Sequence, residues 1–420
     1  MGEVWRICGG RPLHGTVKIP AAKNSVLPLL AASLLCEKPV ELKGIPLLAD
    51  VQASFDLLRG LGCTVQEQCG NVTVSPTPQT GQVPEGPAKA MRSSVFYLAP
   101  LLHAVGRVSM PMPGGCNLGP RPIDIHLDGL VHMGAQVCWQ KNTLTLRAPG
   151  GLAGMDYTLR LPSVGATETL LMAASRARGT TVLRNAACEP EVEDLAAFLR
   201  QCGARITGDG TPVIVVHGVP QLSGTEYSPL PDRIAAATMA CAVACAGGAL
   251  QMENCCPAHL APVLRLLCQA GCRVTCGPGG AKICRCGPLK AVDTVCTGVY
   301  PAFPTDAAPL AAAAMLTASG ESAFEDTVFE HRFACAEGFA AMGAKVQERG
   351  RTLKIAGVPG LHGAAAEAPD LRGGAALVLA ALAVQGESRI TGLHHIRRGY
   401  SDLAGLLNSL GAQITEEQNP

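Results

Sequence analysis

The chain has 420 residues, 48% of them hydrophobic, and 34 basic side chains set against 33 acidic ones give a formal net charge of +1. Length and apolar content exclude a disordered chain and leave room for two or three domains with a large core. The near-neutral balance excludes a global field that would gather nucleic acid or anionic lipid, and aromatics at 4% argue against base-stacking platforms.

The opening Met1-Gly2-Glu3-Val4-Trp5-Arg6 has no basic region leading into an apolar one, so no signal peptide is expected. The longest apolar run, Ile234 to Leu250, is Ala-rich, broken by glycine and shorter than the roughly 20 residues of a spanning helix. An odd count of 19 cysteines without an export signal points to free thiols in a reducing cytoplasm. Cys272, Cys276, Cys284 and Cys286 cluster, but Cys-x-Cys with no nearby histidine is poor spacing for a zinc finger.

In chain order the sequence repeats one unit. Lys23-Asn24 opens an apolar helix, Asn24–Cys36, followed by a strand-like run at Pro39–Lys43 and an amphipathic helix at Val51–Leu61. The phrase Leu61-Gly62-Cys63-Thr64-Val65 then leads into a strand. It returns with glycine at 134, 203, 271, 343 and 411, at spacings of 72, 69, 68, 72 and 68 residues, which predicts six copies of a β-α-β-α-β-β unit. Each glycine is expected to cap the amphipathic helix before it, as after Glu193–Cys202 and Leu260–Ala270. The other apolar helices are expected at Ser94–Val105, Thr167–Arg178, Ile234–Ala246, Asp306–Ala318 and Gly373–Val384, buried because they are apolar nearly all round. Further strand-like runs lie at Thr180–Asn185, Gly248–Asn254 and Glu387–Thr391. The slot after each repeat glycine holds Cys, Ala, Ala, Cys, Ala, Ala, so most cysteines read as small apolar filler.

One stretch escapes the repeat: Met110-Pro111-Met112-Pro113-Gly114-Gly115-Cys116-Asn117-Leu118-Gly119-Pro120-Arg121-Pro122. Its glycines free the backbone and its prolines keep it out of helix and sheet, so it reads as a surface loop displaying a thiol and a fixed charge. Charges also gather where the buried helices start. Capping accounts for Thr167, Asp232 and Asp306. Lys23, Arg92 and Arg372 oppose the helix dipole there, which a bound anion would reverse. The residues alone thus give a six-repeat α/β protein whose helix ends surround a polyanionic ligand.

These residues carry a resemblance. Ala22-Lys23-Asn24, Met91-Arg92-Ser93-Ser94, Pro113-Gly114-Gly115-Cys116 with Arg121-Pro122-Ile123-Asp124, and Pro162-Ser163-Val164-Gly165-Ala166-Thr167-Glu168 follow in order. After them come Glu189-Pro190-Glu191, Pro231-Asp232-Arg233-Ile234, Phe303-Pro304-Thr305-Asp306, Phe329-Glu330-His331-Arg332-Phe333, Asp370-Leu371-Arg372 and Arg398-Gly399-Tyr400. From Arg11 to about Ile414 the chain resembles the UDP-N-acetylglucosamine 1-carboxyvinyltransferase family of enolpyruvyl transferases. The resemblance implies a two-domain inside-out α/β barrel, the EPSP synthase fold. Residues 22–229 would form an N-terminal domain of three repeats with the Cys116 loop. Residues 1–21 and 230–420 would form the C-terminal domain of three repeats, across a cleft that closes on the substrate.

The implied reaction moves the enolpyruvyl group of phosphoenolpyruvate to the 3-hydroxyl of UDP-N-acetylglucosamine and releases phosphate, the first committed step of peptidoglycan synthesis. Cys116 would be the acid and could form a covalent adduct with phosphoenolpyruvate, inactivation by fosfomycin would be expected, and Asp306 would deprotonate or orient the hydroxyl. Lys23, Arg92, Arg121 and Arg398 would hold phosphoenolpyruvate, supported by Arg372. Asn24, Asp306 and Arg332 would meet the amino sugar. Arg121, Pro122 and Ile123 with Ser163, Val164 and Gly165 would hold the uridine and diphosphate. No metal, cofactor, nucleic acid or membrane is implied, and a monomer or weak homo-oligomer is expected. Departures from the family pattern are Ala307-Ala308-Pro309-Leu310, Ala235, Ala334 and Ala49. The rival reading is a divergent paralogue that binds UDP-N-acetylglucosamine as a sensor or scaffold; a shikimate-pathway synthase, which lacks this cysteine loop, is a third.

Overall fold

The computed structural model describes residues 3–114 and 123–418. Cys116, Arg121 and Pro122 lie outside the described residues. The chain divides into two compact units, one built from residues up to Pro20 together with those from Pro231 onward, the other from Ala21 to Leu230.

Each unit has its own hydrophobic core, and in each the apolar helices fill it. In the first unit these are Arg233–Ala246, Ala308–Met315 and Leu371–Ala383, which pack on one another; small or apolar residues occupy nearly every position, so no face is left for water. In the second they are Lys23–Ala32, Leu98–Val105 and Val164–Ser175. Two of the six open as a tighter 3-10 turn, Arg92–Tyr97 and Thr305–Ala307, so the α-helical part starts later than the apolar run suggests.

Among the described residues six sheets cover these helices, three per unit, five of four strands and one of three. Five of them join an antiparallel hairpin to a third strand, as in Arg273–Gly277, Gly280–Arg285 and Gly248–Glu253, and the four-stranded ones among these add a further strand, here Leu13–Lys18 in parallel with Gly248–Glu253. The strand Glu3–Cys8 sits between Glu387–Thr391 and Ile414–Gln418, which ties the start of the chain to its end. Val40–Leu42, Thr180–Arg184, Gly248–Glu253 and Glu387–Thr391 form where strand-like runs were expected. All six repeat glycines have positive φ, from +86° at Gly343 to +108° at Gly203, the left-handed step that turns each peripheral helix into its strand.

Three expectations need correction. Met110 and Pro111 join a sheet: Arg107–Pro111 is an edge strand paired with Thr143–Arg147, and its proline is the last residue, where a missing N–H costs least. Capping falls on other residues than expected. Asp232 does cap its helix, accepting from Ile234 and Ala235, but Ser163 rather than Thr167 caps the third buried helix, Asp370 caps the sixth, and Asp306 makes no cap bond. The filler reading fits fewer than half of the cysteines: of 18 described, eight are buried, including Cys63 and Cys272 after the repeat glycines, and the others are half-buried or exposed.

Candidate functional site

Within the unit that runs from Pro231 onward, three charged side chains meet. Asp306 comes from the 3-10 turn Thr305–Ala307, Arg372 from the first turn of Leu371–Ala383 and Arg332 from the turn after Glu330. Arg332 donates from Nη2 to Asp306 Oδ1 at 3.1 Å, and Arg372 from Nη2 to Asp306 Oδ2 at 3.3 Å. The arginines are 1% and 6% exposed and the carboxylate 28%. Burial by itself would raise the Asp306 pKa. Arg372, Arg332 and Arg233 outweigh it and hold the carboxyl well below the usual carboxylate range.

Both arginines are fixed from behind. Arg332 Nε donates to Thr305 Oγ1 at 2.9 Å, Thr305 donates to Asp326 Oδ2 at 2.5 Å, and Asp326 Oδ1 accepts from the backbone of Val328 and Phe329. The guanidinium also stacks on the Phe329 ring at 4.6 Å. Arg372 Nη1 donates to Tyr400 Oη at 3.2 Å; Tyr400 donates to Thr238 Oγ1 at 2.7 Å, which donates to the Ile234 carbonyl. Arg332 Nη1 is buried and has no hydrogen-bond partner among the described residues. A cationic donor without a partner in a dry place is costly, so it marks where a ligand oxygen would fit. Arg398 is half-buried in the turn before Tyr400.

The other unit carries its own cluster. Lys23, in the first turn of Lys23–Ala32, pairs with Asp50 at 2.7 Å, both side chains nearly buried; Asn24 beside it is exposed. Arg92 opens its 3-10 turn half-buried, and its charge, after burial, pushes the His126 pKa down to about 3. His126 therefore stays neutral, with Nδ1 2.9 Å from Thr169 Oγ1. Ser163 accepts from the Ala166 N–H, and Val164 and Gly165 stand half-exposed in the first turn of their helix. A side chain on Gly165 would meet the His126 ring at 3.1 Å. Ile123 is buried just ahead of the helix Asp124–His132. Deeper in, Glu168 is buried with Oε1 lacking a hydrogen-bond partner among the described residues; burial first, then the charges of Glu191 and Glu189, push its pKa well up.

Sequence reasoning thus named Asp306, Arg332 and Arg372, which the structure brings together, and missed Thr305, Asp326, Tyr400, Thr238, Asp50, His126 and Glu168. Thr305 and Tyr400 lie inside quoted motifs and could have been found there. Asp326 and Asp50 carry no local signal. Among the described residues no group of three or more His, Cys, Asp or Glu could hold a metal ion, and no helix is long and apolar enough to cross a membrane.

A repeated α/β scaffold with ionised carboxylate and guanidiniums gathered at buried-helix starts defines a class of enzymes for anionic substrates. A family model described as EPSP synthase (3-phosphoshikimate 1-carboxyvinyltransferase) matches residues 7–416, and the chain belongs to this family of enolpyruvyl transferases. It is 41% identical over 417 residues to UDP-N-acetylglucosamine 1-carboxyvinyltransferase 2 of Caldanaerobacter subterraneus subsp. tengcongensis, covering 99% of each chain. It is 41% identical over 411 residues to UDP-N-acetylglucosamine 1-carboxyvinyltransferase of Desulfovibrio desulfuricans, covering 98% of each. Among solved structures, the enolpyruvyl transferase NikO from Streptomyces tendae superposes with a TM-score of 0.90 at 26% identity over the whole of both chains. An EPSP synthase from Acinetobacter baumannii, at 20% identity and a TM-score of 0.75, shares the fold.

Proposed function

We propose that the protein transfers the enolpyruvyl group of phosphoenolpyruvate to the 3-hydroxyl of UDP-N-acetylglucosamine with release of phosphate, in the cytoplasm and as the committing step of peptidoglycan synthesis. The observation that carries this reading is the ionised Asp306 gripped between two buried guanidiniums. The names of the full-length relatives support the two substrates, and the free thiols of the described cysteines fit a reducing compartment.

The chemistry is addition followed by elimination. Carbon 3 of phosphoenolpyruvate gains a proton, the sugar hydroxyl attacks carbon 2, and the tetrahedral adduct loses a carbon 3 proton and phosphate. We assign the acid to Cys116. An unperturbed thiol, with a pKa of about 8.5, is mostly protonated near neutrality and can donate, while neighbouring cations favour the thiolate; both forms suit an acid that can also bond covalently to phosphoenolpyruvate. Asp306 accepts the hydrogen bond of the attacking hydroxyl and orients it. A carboxylate of such low basicity takes the proton only once the new C–O bond has made the hydroxyl strongly acidic, so its first task is orientation. Arg332 and Asn24 are assigned to the amino sugar, with Nη1 of Arg332 supplying the unmatched donor. Lys23, Arg92, Arg121 and Arg398 are assigned to the phosphate and carboxylate of phosphoenolpyruvate. Pro122, Ile123, Ser163, Val164 and Gly165 are assigned to the uridine diphosphate, partly through the N–H groups of a helix start. Arg372 holds Asp306.

The test is phosphate release from phosphoenolpyruvate with and without UDP-N-acetylglucosamine, in the parent and in Cys116→Ala. Release that needs the sugar nucleotide and disappears in the variant is expected. Tight binding of the sugar nucleotide with no release in the parent overturns the transferase reading in favour of a sugar-nucleotide sensor or scaffold, which the relatives do not favour.

A further inference from the structure

Cys284 and Cys286 are none of the residues assigned above, the nearest of which in sequence is Asp306, and nothing in the transferase reaction uses them. Cys284 is the penultimate residue of the strand Gly280–Arg285, paired across to Arg273 on one side and Ala249 on the other. Cys286 follows the strand. Side chains two apart on a strand share a face, and the strand ends between the two, so their sulfurs come to 3.0 Å. Arg285 between them points elsewhere. Its guanidinium donates to the carbonyls of Ala244 and Cys245 in the last turn of Arg233–Ala246, and its Nε to Gly287 at 3.0 Å. Those bonds cap the helix and fix the backbone on both sides of Arg285.

We propose that Cys284 and Cys286 form a dithiol site that exchanges with low-molecular-weight disulfides and closes reversibly to an internal disulfide. Disulfide sulfurs sit about 2.05 Å apart, so closure moves each only about 0.5 Å. Cys286 is exposed and Cys284 half-buried, so a small disulfide reaches Cys286 first. The hydrogen bond to Cys286, then burial, push the Cys284 thiol pKa up, which keeps it protonated while Cys286 reacts. The Cys286 thiolate attacks one sulfur of the small disulfide and expels one thiolate. Cys284 then loses its proton to solvent and attacks the Cys286 sulfur, expelling the second. Two protein thiols and one disulfide become one internal disulfide and two small thiols.

Burial decides which pair does this. Cys36 and Cys202 also share a hydrogen bond, but both are buried in their unit and out of reach of the reagent. Cys69 and Cys138 are exposed but have no second sulfur within hydrogen-bonding distance among the described residues, so at most they hold a mixed disulfide.

The test equilibrates the full-length protein in mixtures of glutathione and glutathione disulfide, quenches with acid, alkylates and maps peptides by mass. The peptide with both cysteines is expected to lose two hydrogens and escape alkylation at a poise where Cys69 and Cys138 remain mostly alkylated. Cys284→Ser is expected to accumulate a glutathione adduct on Cys286, while Cys286→Ser leaves Cys284 alkylated. Phosphate release by both variants should stay within about twofold of the parent, since neither residue is assigned a part in the reaction. A peptide that stays alkylated while other cysteines oxidise overturns the proposal, and so does a glutathione adduct on Cys286 that persists in the parent. Because the mass map is read on the parent protein, neither a folding defect in a variant nor failure of the transferase reading can mimic these results.

Discussion

Asp326 and Arg332 are joined by one hydroxyl. Thr305 Oγ1 donates to Asp326 Oδ2 at 2.5 Å and accepts from Arg332 Nε at 2.9 Å, while the carboxylate itself stays 3.9 Å from that nitrogen. Thr305 thus points its one proton at the acid and its lone pair at the base. Since it also precedes Asp306, the turn that carries the carboxylate is the turn that aims the guanidinium.

Replacing Thr305 with valine keeps the shape and removes both bonds. Asp326 and Arg332 are then left under-satisfied in a dry environment, at a cost of about 2 kcal/mol. We expect a lower melting temperature and a raised KM for UDP-N-acetylglucosamine with a smaller change in KM for phosphoenolpyruvate. Steady-state kinetics alongside thermal denaturation checks this. Equal changes in both KM values would mean that Thr305 acts on the fold alone.

Asp306→Asn should be harsher. It removes the carboxylate charge that both Arg332 and Arg372 bind, and breaking a buried pair from one side costs on the order of 3 kcal/mol. Phosphate release should fall by roughly a hundredfold or more as the acceptor for the sugar hydroxyl is lost. The pH behaviour of the parent follows from sign. The folded pKa of Asp306 is below its ordinary value, so its stabilisation is fully present above the ordinary carboxylate pKa and is lost only as pH falls through the folded value. No acidic limb in the rate profile above pH 5 should belong to Asp306, and an acidic limb there that vanishes in Asp306→Asn would contradict the clamp.

Much of this was legible in the chain. The six repeat glycines could be read because a helix that must turn into a strand within one residue needs positive φ, and glycine takes it most cheaply. Lys23, Arg92 and Arg372 stood out because a cation at a helix start is electrostatically misplaced unless something offsets it; the structure shows Asp50 doing so for Lys23 and Asp306 for Arg372. Asp326 was invisible, since its partner Thr305 is 21 positions away and only the folded chain joins them. Exposed cysteines were misjudged for a related reason. The repeat phrase places Cys63 and Cys272 in the core, but strand ends and turns place Cys69, Cys276 and Cys286 at the surface, and composition does not distinguish the two.

Gly357 offers a check on the repeat scaffold itself. A Cβ built there would lie 1.6 Å from the carbonyl oxygen of Ala318, whose chain segment it crosses just after the fifth buried helix. Backbone is the obstacle, so no side chain can swing away. Gly357→Ala should cost about 3 kcal/mol or more, read as a melting shift, whereas alanine at Gly360, with open space around its Cβ, should change stability by less than about 0.5 kcal/mol. Matching shifts in the two variants would show that the close crossing relaxes freely.

Glu168 gives a prediction with the opposite sign to Asp306. Burial and the neighbouring Glu191 and Glu189 charges raise its pKa, so it stays protonated in the folded chain at pH values where it ionises in the unfolded one. At low pH both states hold the proton and nothing depends on pH. As pH rises through the ordinary glutamate range the unfolded state gives up its proton and the folded state does not, so this group makes the protein less stable as pH climbs. Glu168→Gln keeps the shape and removes the titration. Its melting temperature should gain on the parent's as pH rises above the ordinary glutamate range, with the two curves converging below that range. A constant offset at every pH would mean that Glu168 is ionised in the folded state and balanced by a partner, and that the substitution acts through packing.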